Sequence, residues 1–456
     1  MTTRYLLAVG ALALAAAVAQ PQEARAAAAG AVRNGPTQSR AGMDLNRASV
    51  PDGFTFAAGG DIFKRTPITQ LGHPEIDKML KLLQSADVAY GNHESSAFDL
   101  PGPGTVTHGA QNGGGYPRFS YALEQDFKAM GIDIVSMANN HAGDWGVEGL
   151  MATLTTIANA GLVQAGGGAS LSEARRPGVF YSPRGNVALI STASTFNPAS
   201  VAEDGNGAIK PRPGISYFRA RPVIELTEQQ MDLMTRVGQA WWNPNSGVRP
   251  DIPGGVTVGG ATYRVGSSGK ITYHVEEADR KALTDSITAA KRQHDLVALS
   301  MHAHEVDTTG SRASVGDFLP TLFHQAIDAG ADVVMRTGPH ILGGVEIYKG
   351  KPIFYGLSNL FFEFGSYEQA KDPEYRARSG FFDNVLGITE FKDGKPSVVK
   401  LYPLETIVED SPAMGASKIA TGEAARRIIN TIQEESRPWG TQIAFENDIG
   451  IIRIAQ

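Results

Sequence analysis

The sequence predicts an α/β (α+β) fold built from alternating strands and helices. Short apolar runs bounded by turn residues alternate along the chain with segments whose apolar residues recur at helical spacing. One of these runs, residues 296–301, is almost entirely apolar, which is typical of a strand buried on both faces of a sheet. With 456 residues, of which 42% are hydrophobic, the chain is long enough to bury a large core.

The first half of the chain is predicted to alternate strand and helix. Residues 74–85 begin with a proline and then carry apolar side chains at spacings of three and four, which is typical of an amphipathic helix. Glycines at 131 and 161 end two further helical patterns. The predicted strands are 54–58, 86–90 and 132–137, and the predicted helices are 74–85, 121–130 and 146–160.

The second half is predicted to contain three hairpins as well as strands and helices. Asp393-Gly394 lies between two alternating runs, and this dipeptide is the strongest short-range signal for a hairpin. The predicted hairpins pair 179–181 with 187–192, 345–348 with 352–357, and 385–391 with 397–402. The other predicted elements are strands 296–301 and 331–335 and helices 277–294, 319–329 and 423–435.

Residues 196–269 break this pattern, because Pro, Gly and Asn are dense there. We interpret them as an irregular insertion, either a cover over a substrate or a packed accessory subdomain. The core then spans residues 51–365 around the insertion. Residues 366–456 complete the core with a hairpin and a helix.

The N-terminus has the features of an export signal. Residues 1–28 contain Arg4, an apolar run from residue 5 to 18 and small residues at a cleavage point, as in a secretory signal peptide. The run is shorter than the roughly 20 residues that span a bilayer, and an uncleaved anchor is the alternative. Residues 29–50 carry no apolar period and predict a disordered linker. We therefore expect a protein of the periplasm or cell surface.

Composition and charge exclude several classes of site and partner. The chain has no cysteine, which excludes disulfides, thiolate catalysis and cysteine-ligated metal. Its formal net charge is −6 and it has no run of Lys or Arg, so it lacks the electrostatic footprint of a nucleic-acid-binding protein.

Polar residues of metal-ligand type follow five apolar runs at the point where each run ends. In α/β sheets, sites form outside the carboxyl ends of the strands, so five such ends can meet in space. His302 and His304 are two apart and would project to the same side of a continuing strand. Each residue alone could instead cap a turn or lie solvated at the surface. The residues are Asp61, Asn92, His93, Glu94, Asn140, His141, His302, His304 and His340.

The chemistry of this set predicts a divalent metal as the cofactor. Carboxylate, amide and imidazole groups together suit Mn, Fe or Zn, as one or two ions. They offer too little oxygen for a dedicated calcium site.

These motifs resemble the CapA family of poly-γ-glutamate capsule synthesis proteins, whose fold is that of the calcineurin-like metallophosphatases. The resemblance runs from about residue 54 to 362 and is weakest in the insertion. It implies a four-layer αββα sandwich with a metal centre at the sheet edge. The matching residues are Gly60-Asp61 with Arg65, Gly91-Asn92 with Glu94, Asn139-Asn140-His141 with Asp144, Met301-His302 with Glu305, and Pro339-His340 followed by residues 346–355. The implied ligands are Asp61, Asn92, Glu94, Asn140, His141, His302 and His340.

The resemblance also implies catalytic roles. Gly91-Asn92-His93-Glu94 is similar to a wider phosphoesterase signature in which the histidine, held by the adjacent acid, protonates the leaving group or stabilises charge in the transition state. His93 and Glu94 are therefore catalytic candidates. Arg65 or Arg336 is a candidate clamp for an anion.

Two departures from the family pattern lead to a hypothesis about one ligand. Family members usually carry Gly-His ahead of Pro-His, where this chain has Arg336 and Thr337. They often carry Trp-Gly where this chain has Ala303 and His304. We hypothesise that His304 supplies the missing imidazole.

The expected function is that of a metal-dependent hydrolase, phosphoesterase-like or acting on γ-glutamyl bonds. By resemblance, it would serve synthesis, export or attachment of an anionic polymer such as poly-γ-glutamate. The expected partners are an anionic polymer or peptide substrate and membrane-bound capsule machinery. Two alternatives stay open: a non-catalytic polymer-binding or assembly factor with a structural metal, and a metal-dependent peptide epimerase.

Overall fold

The protein is represented by a computed structural model that describes residues 49–99, 108–241, 252, 254–258, 261–363 and 371–455. The predicted signal peptide and nearly all of the predicted linker lie outside these residues. No helix within the described ranges is both long enough and apolar enough to span a bilayer.

The described chain alternates strands and helices much as its apolar pattern predicts. In chain order the strands are β1 Phe54–Phe63, β2 Val88–His93, β3 Ser96–Ala97, β4 Arg118–Phe119, β5 Ile134–Ser136, β6 Val163–Ala165, β7 Gly167–Gly168, β8 Gly178–Ser182, β9 Gly185–Ala193, β10 Gly214–Ile215, β11 Ala220–Leu226, β12 Gly255–Val258, β13 Ala261–Val265, β14 Ile271–Val275, β15 Leu296–His302, β16 Val333–Thr337, β17 Val345–Tyr348, β18 Lys351–Phe354, β19 Asn359–Phe362, β20 Asp383–Lys392, β21 Lys395–Thr406, β22 Ser417–Ile419, β23 Ala444–Glu446 and β24 Ile449–Arg453. The helices are α1 Pro74–Ser85, α2 Tyr121–Ala129, α3 Gly146–Asn159, α4 Leu171–Ala174, α5 Glu228–Trp241, α6 Glu277–Lys291, α7 Phe318–Ala329, α8 Pro373–Ser379 and α9 Gly422–Ser436.

Two large mixed sheets form the centre of the molecule. The first has the order β23-β24-β21-β20-β1-β2-β5-β6, with β19 also paired to β1 and β22 to β21. The second has the order β17-β18-β16-β15-β9-β8. Strands β1, β2, β5 and β6 run parallel in the first sheet, and β9, β15, β16 and β18 run parallel in the second. Each sheet therefore gathers several carboxyl ends along one edge.

The alternation of side chains along these strands creates three layers of core. On β1 and β2, Phe56 and Tyr90 pack in the cluster between the two sheets, whereas Ala57 and Ala89 pack against α1, α2 and α3. Helices α6 and α7 cover the outer face of the second sheet. Each large apolar side chain fully buried in this way contributes about 1.5–3 kcal/mol. The order helices, sheet, sheet, helices confirms the predicted four-layer αββα sandwich.

The three predicted hairpins are confirmed, and the last of them lies at the centre of the first sheet. Strands β8 and β9, β17 and β18, and β20 and β21 each pair antiparallel. Strand β20 also pairs directly with β1. Helix α9 packs its apolar face into the cluster between the sheets, so the C-terminal segment is part of the sandwich.

The prediction of an irregular insertion is wrong in one respect. Strands β11 to β14 form a regular four-stranded sheet with the order β12-β13-β11-β14, and α5 packs against β12 and β13. The sheet also extends to residue 275, beyond the predicted end at 269. Thr, Tyr and Val in β13 and β14 favour strands. The density of Gly and Pro around these residues made their two-residue alternation hard to recognise in the sequence.

Gly60 lies where the chain approaches itself most closely, so Gly60→Ala should disturb the end of β1. A Cβ at Gly60 would lie 1.9 Å from the carbonyl oxygen of Ser358, the same oxygen that accepts a hydrogen bond from the Asp61 amide at 3.0 Å. Because backbone must move, we expect a loss of about 2–3 kcal/mol or more in the free energy of unfolding, measured with urea.

Gly53→Ala is the matched control for this substitution. Gly53 has φ +72°, and a Cβ there would have its nearest neighbour at 3.9 Å, so the cost is about 1 kcal/mol from the left-handed backbone alone. Equal losses in the two variants would contradict a steric role for Gly60.

Candidate metal centre

The carboxyl ends of four strands from the two sheets bring acids and imidazoles to one place. Asp61 lies near the end of β1 beside Asn92 on β2, with which it is in register. His302 ends β15 in the second sheet, and His340 follows β16. The gap between the sheets is closed here by polar side chains, whereas apolar side chains close it elsewhere.

Asp61 connects the two sheets directly. Its Oδ1 accepts a hydrogen bond from Asn92 Nδ2 at 2.8 Å, and its Oδ2 accepts one from the Gly338 amide at 3.1 Å. The same Oδ2 lies 3.0 Å from His340 Nδ1. The carboxylate is fully buried, so all of its interactions are with groups at this site.

Glu94 is the most poorly satisfied group of the cluster. It is fully buried, and burial, reinforced by the charge of Asp61, raises the pKa of its carboxyl well above the ordinary value. Its Oε1 accepts no hydrogen bond from any described residue. That atom lies 3.5 Å from His302 Nε2 and 3.8 Å from His340 Nε2. A buried acceptor without a partner costs about 1–3 kcal/mol, which a bound cation would remove.

His302 and His304 converge as their spacing predicts. Their Nε2 atoms lie 3.0 Å apart, and the residue between them, Ala303, continues the strand by donating to the Thr337 carbonyl. Burial lowers the pKa of His302 well below its ordinary value and that of His304 to about 3, with the neighbouring imidazoles adding to the effect. Both rings are therefore neutral at physiological pH, which is the state that ligates a metal.

Gly338 makes room for these two rings. A Cβ at this position, where φ is +109°, would lie 2.5 Å from His304 Cδ2 and 3.0 Å from His302 Cε1. Arg336 and Thr337 stand where the family resemblance leads one to expect Gly-His. The next residue, Gly338, leaves space for the imidazole of His304, which follows the neighbouring strand β15.

Asn92 presents its nitrogen, and not its oxygen, to the acids. Nδ2 faces Asp61 and lies 3.3 Å from Glu94 Oε2, while Oδ1 accepts from Ser136 Oγ at 2.7 Å. The Ser136 hydroxyl is also 2.9 Å from Tyr90 Oη. Since a hydroxyl can either donate or accept, Ser136 would also satisfy the reversed amide, in which Oδ1 is a ligand as predicted.

His141 lies beside the cluster and is oriented by an acid three residues later. Its Nδ1 donates to Asp144 Oδ2 at 2.7 Å, and Asp144 Oδ1 accepts from the Gly113 amide at 2.7 Å. The rings of His141 and His340 contact the same Phe63 ring, with centroid distances of 5.6 and 5.5 Å. His141 is thus close to the other candidate ligands, with one ring nitrogen fixed.

Asn140 has a buried oxygen with no hydrogen bond. Its Nδ2 donates to the Gly113 carbonyl at 3.0 Å, but no described residue donates to Oδ1. An amide oxygen in this state is available to a cation, in agreement with the predicted role.

The structure does not bring His93 to the site, so the prediction that it protonates a leaving group from there is wrong. Strand alternation turns it away from Asn92 and Glu94, toward α2. Its Nε2 lies 2.7 Å from Glu124 Oε1, and both side chains are fully buried. Its ring packs edge-on against Phe119 at a centroid distance of 5.1 Å. His93 is a core residue of the outer layer.

Neither predicted arginine clamp is placed for that role. The Arg65 side chain is exposed, and it is the backbone amide that bonds to Glu363. Arg336 is fully buried, and burial lowers its pKa to about 10. It donates to three carbonyls, those of Ala303, Ser314 and Glu305, at 2.9, 3.1 and 2.9 Å. Arg336 thus braces the loop that carries His304.

Two residues that support His340, Ser358 and Asn359, were not predicted as part of the site. His340 has φ +60° and its neighbour Ser358 has φ +58°, conformations that cost about 1–2 kcal/mol in a non-glycine residue. Asn359 lies 3.0 Å from His340 Nδ1 and donates to the His340 carbonyl, which holds this strained turn. In the sequence, Asn359 is distinguished only as a polar residue at the start of an apolar run.

The donor set fits a divalent cation. Ligand atoms of Glu94, His302 and His304 all lie within 4.8 Å of one another, and so do those of Asp61, Glu94 and His340. Glu94 belongs to both groups, so one carboxylate could bridge two ions. Two carboxylates and three imidazoles are ligand types that divalent transition metals accept.

Comparison with known proteins gives a match to one family and to several named relatives. Residues 55–363 match the family described as bacterial capsule synthesis protein PGA_cap. The chain is 31% identical over 441 residues to y4sH, an uncharacterized protein of Sinorhizobium fredii, covering 89% of this chain and 94% of the relative. It is 26% identical over 239 residues to the PGA biosynthesis protein CapA of Bacillus subtilis, covering 52% of this chain and 44% of the relative. A probable polyglutamine synthesis accessory protein of Mycobacterium tuberculosis is 26% identical over 318 residues, covering 69% of this chain and 65% of the relative.

His304→Ala should lower the amount of metal that the purified protein binds. The substitution removes one imidazole from the group formed with Glu94 and His302 while leaving the other group intact. We expect at least one ion per chain to be lost or to bind 10–100-fold more weakly, measured by elemental analysis after dialysis against Mn²⁺. His324→Ala, which removes a histidine paired with Glu346 away from the site, should bind metal normally. Full metal content in His304→Ala would contradict its assignment as a ligand.

Arg336→Met should destabilise the protein although no substrate contact is lost. The carbonyls of Ala303 and Ser314 would lose the Arg336 donor, and that of Glu305 would keep only the Gly316 amide, at about 1–3 kcal/mol for each carbonyl that stays buried and unsatisfied. We expect a loss of about 3–5 kcal/mol in the free energy of unfolding by urea. Arg426→Met, at an exposed position on α9, should change it by at most about 0.5–1 kcal/mol, the value of an exposed cation–π contact. A loss below about 1 kcal/mol in Arg336→Met would contradict the bracing role.

Proposed function

This chain belongs to the bacterial capsule synthesis protein family PGA_cap, and we propose that it is a metal-dependent hydrolase acting on an anionic polymer of the cell envelope. The observation that carries the proposal is the buried cluster at the strand ends. Glu94 there has an oxygen without a hydrogen bond beside imidazoles that burial keeps neutral. An uncompensated cluster of this kind is typical of a functional site and costly in a purely structural one.

In this proposal Asp61, Glu94, His302, His304 and His340 hold one or two divalent ions, Mn, Fe or Zn. Asn92 and Asn140 add amide oxygens to the set. When bound, such an ion supplies Lewis acidity and lowers the pKa of water toward 7. The protein contributes the fixed positions of its ligands, which lie on strands or within four residues of a strand end.

The family resemblance implies His141 as a ligand, but it belongs to neither group of mutually close ligand atoms among the described residues, and in this proposal it is the proton donor. Asp144 accepts from its Nδ1, which leaves Nε2 to take the proton that the attacking water gives up and to pass it to the leaving group. The Gly113 amide and the Asn139 side chain fix this pair, since Asn139 Oδ1 accepts from the His141 amide at 3.0 Å. A positioned histidine of this kind contributes about 10²–10⁴-fold to a rate.

The substrate in this proposal is a polymer such as poly-γ-glutamate, or a peptide made from it. Relatives are named for PGA biosynthesis and for polyglutamine synthesis, which supports this class. Hydrolysis would take place outside the cytoplasmic membrane, beside membrane-bound capsule machinery, if the predicted signal peptide exports the chain. The partly exposed His340, with 16% of its side chain accessible, is a point at which a polymer can reach the centre.

A non-catalytic assembly factor is the second candidate. Glu94 and His302 are fully buried, as in a metal site that serves stability alone. The Mycobacterium tuberculosis relative is named an accessory protein, which also favours this candidate.

Turnover separates the two candidates. The mature protein loaded with Mn²⁺ should hydrolyse γ-glutamyl oligopeptides or phosphodiesters. His141→Ala should lower kcat by about 10²–10⁴-fold while metal content, measured by elemental analysis, stays at the wild-type level. His324→Ala should keep full activity. Metal-loaded wild-type protein that hydrolyses neither substrate class would contradict the hydrolase and leave the assembly factor.

A further inference from the structure

Arg312 is an exposed cation at the rim of the site. It lies in the loop that follows β15, between His304 and α7. No residue that the structure describes forms an ion pair with it. Its guanidinium carbon lies 4.8 Å from the centroid of the Phe381 ring, so one face of the guanidinium rests on an aromatic surface.

The Phe381 ring that Arg312 contacts lies next to the candidate metal centre. Phe381 is 6.2 Å from the His340 ring and stacks on Phe362 at 6.0 Å. Phe362 in turn lies 5.7 Å from the His340 ring. These distances are between ring centroids, and they place Arg312 one aromatic side chain away from a candidate ligand.

The loop that carries Arg312 is fixed on two sides. From beneath, Arg336 donates to the carbonyls of Glu305 and Ser314. From the insertion, Tyr273 Oη donates to the Val306 carbonyl at 3.0 Å, and the amide of Ile271 donates to Thr308 Oγ1 at 2.9 Å. The backbone around Arg312 is thus held in place while the charged end of the side chain is open to solvent.

We propose that Arg312 determines specificity by binding an anionic group of the substrate next to the bond held at the metal centre. The inference rests on the proposed function and deepens it. A guanidinium stacked on one face keeps its N–H edge available for a bidentate bond to a carboxylate or phosphate. Since the centre neutralises charge at the reacting group, Arg312 selects a substrate with a second anionic group on the adjacent unit. Neither arginine predicted from the sequence has this position.

Binding by full-length, Mn²⁺-loaded protein tests the proposal without requiring turnover. The probes are a γ-glutamyl pentapeptide with free α-carboxylates, the same peptide as its α-carboxamides, and a glycerol phosphate oligomer, measured by calorimetry. Arg312→Ala should weaken binding of the carboxylate peptide at least 10-fold and leave the weak binding of the amide unchanged. Arg312→Lys should recover part of the affinity, because it keeps the charge but not the fork.

Arg426→Ala is the matched control. Arg426 is also exposed and lies 4.4 Å over a phenylalanine, Phe445, but on α9 and against a ring of β23. This variant should bind the peptide like the wild type. Metal content is measured in every variant, so that a lost ion is not mistaken for a lost contact.

Each outcome of this experiment supports or contradicts the proposed role of Arg312. An Arg312-dependent loss seen only with the glycerol phosphate oligomer would support the proposal with phosphate as the anion. Unchanged affinity of Arg312→Ala for both oligomers, or no binding of either by the wild type, would overturn it. Arg312-dependent binding without any turnover would support the role of Arg312 and contradict the hydrolase.

Discussion

Two buried carboxylates beside two imidazoles that burial keeps neutral are the constraint on which this structure depends. Asp61 and Glu94 are fully buried at the same point, and burial raises the pKa of Glu94 while lowering those of His302 and His304. His302 and His304 therefore cannot neutralise the acids as imidazolium ions. A divalent cation resolves this conflict, because it favours the ionised carboxylate and the neutral imidazole together.

The rest of the fold can be understood as the means of keeping these groups together. Parallel strands bring their carboxyl ends to one edge of each sheet, and contacts such as that of Asp61 with the Gly338 amide join the two edges. Arg336 then fixes the loop after β15 through three carbonyls. The inserted sheet holds the same loop from outside through Tyr273. The positions of the candidate ligands are thus set by buried contacts, whereas side chains of the rim such as Arg312 are exposed.

The sequence predicts the fold class and the convergence of ligands well, because both depend on local patterns. Apolar runs that stop at Asp61, His302 and His340 mark strand ends, and strand ends of parallel sheets meet. It was harder to predict which face of a strand each side chain occupies. His93 and Glu94 are adjacent in a ligand-like motif, yet alternation sends them to opposite faces of β2. Arg336 lies at the end of an apolar run, as the candidate ligands do. Its guanidinium is buried, however, and its role is visible only from the three carbonyls to which it donates. Arg312, in a polar loop, gave no sequence signal at all.

The most direct measurement of the central claim is the stability of the protein with and without metal. The chain is stripped with a chelator, and its thermal unfolding is followed as Mn²⁺, Fe²⁺ or Zn²⁺ is added, beside a Glu94→Gln variant. Stabilisation that grows with metal concentration, reaching about 2.7 kcal/mol at 100 times the Kd, and that is absent or much reduced in Glu94→Gln, is the predicted result. A melting temperature that none of these ions changes, in protein shown to be folded, would contradict a cation site at the strand ends.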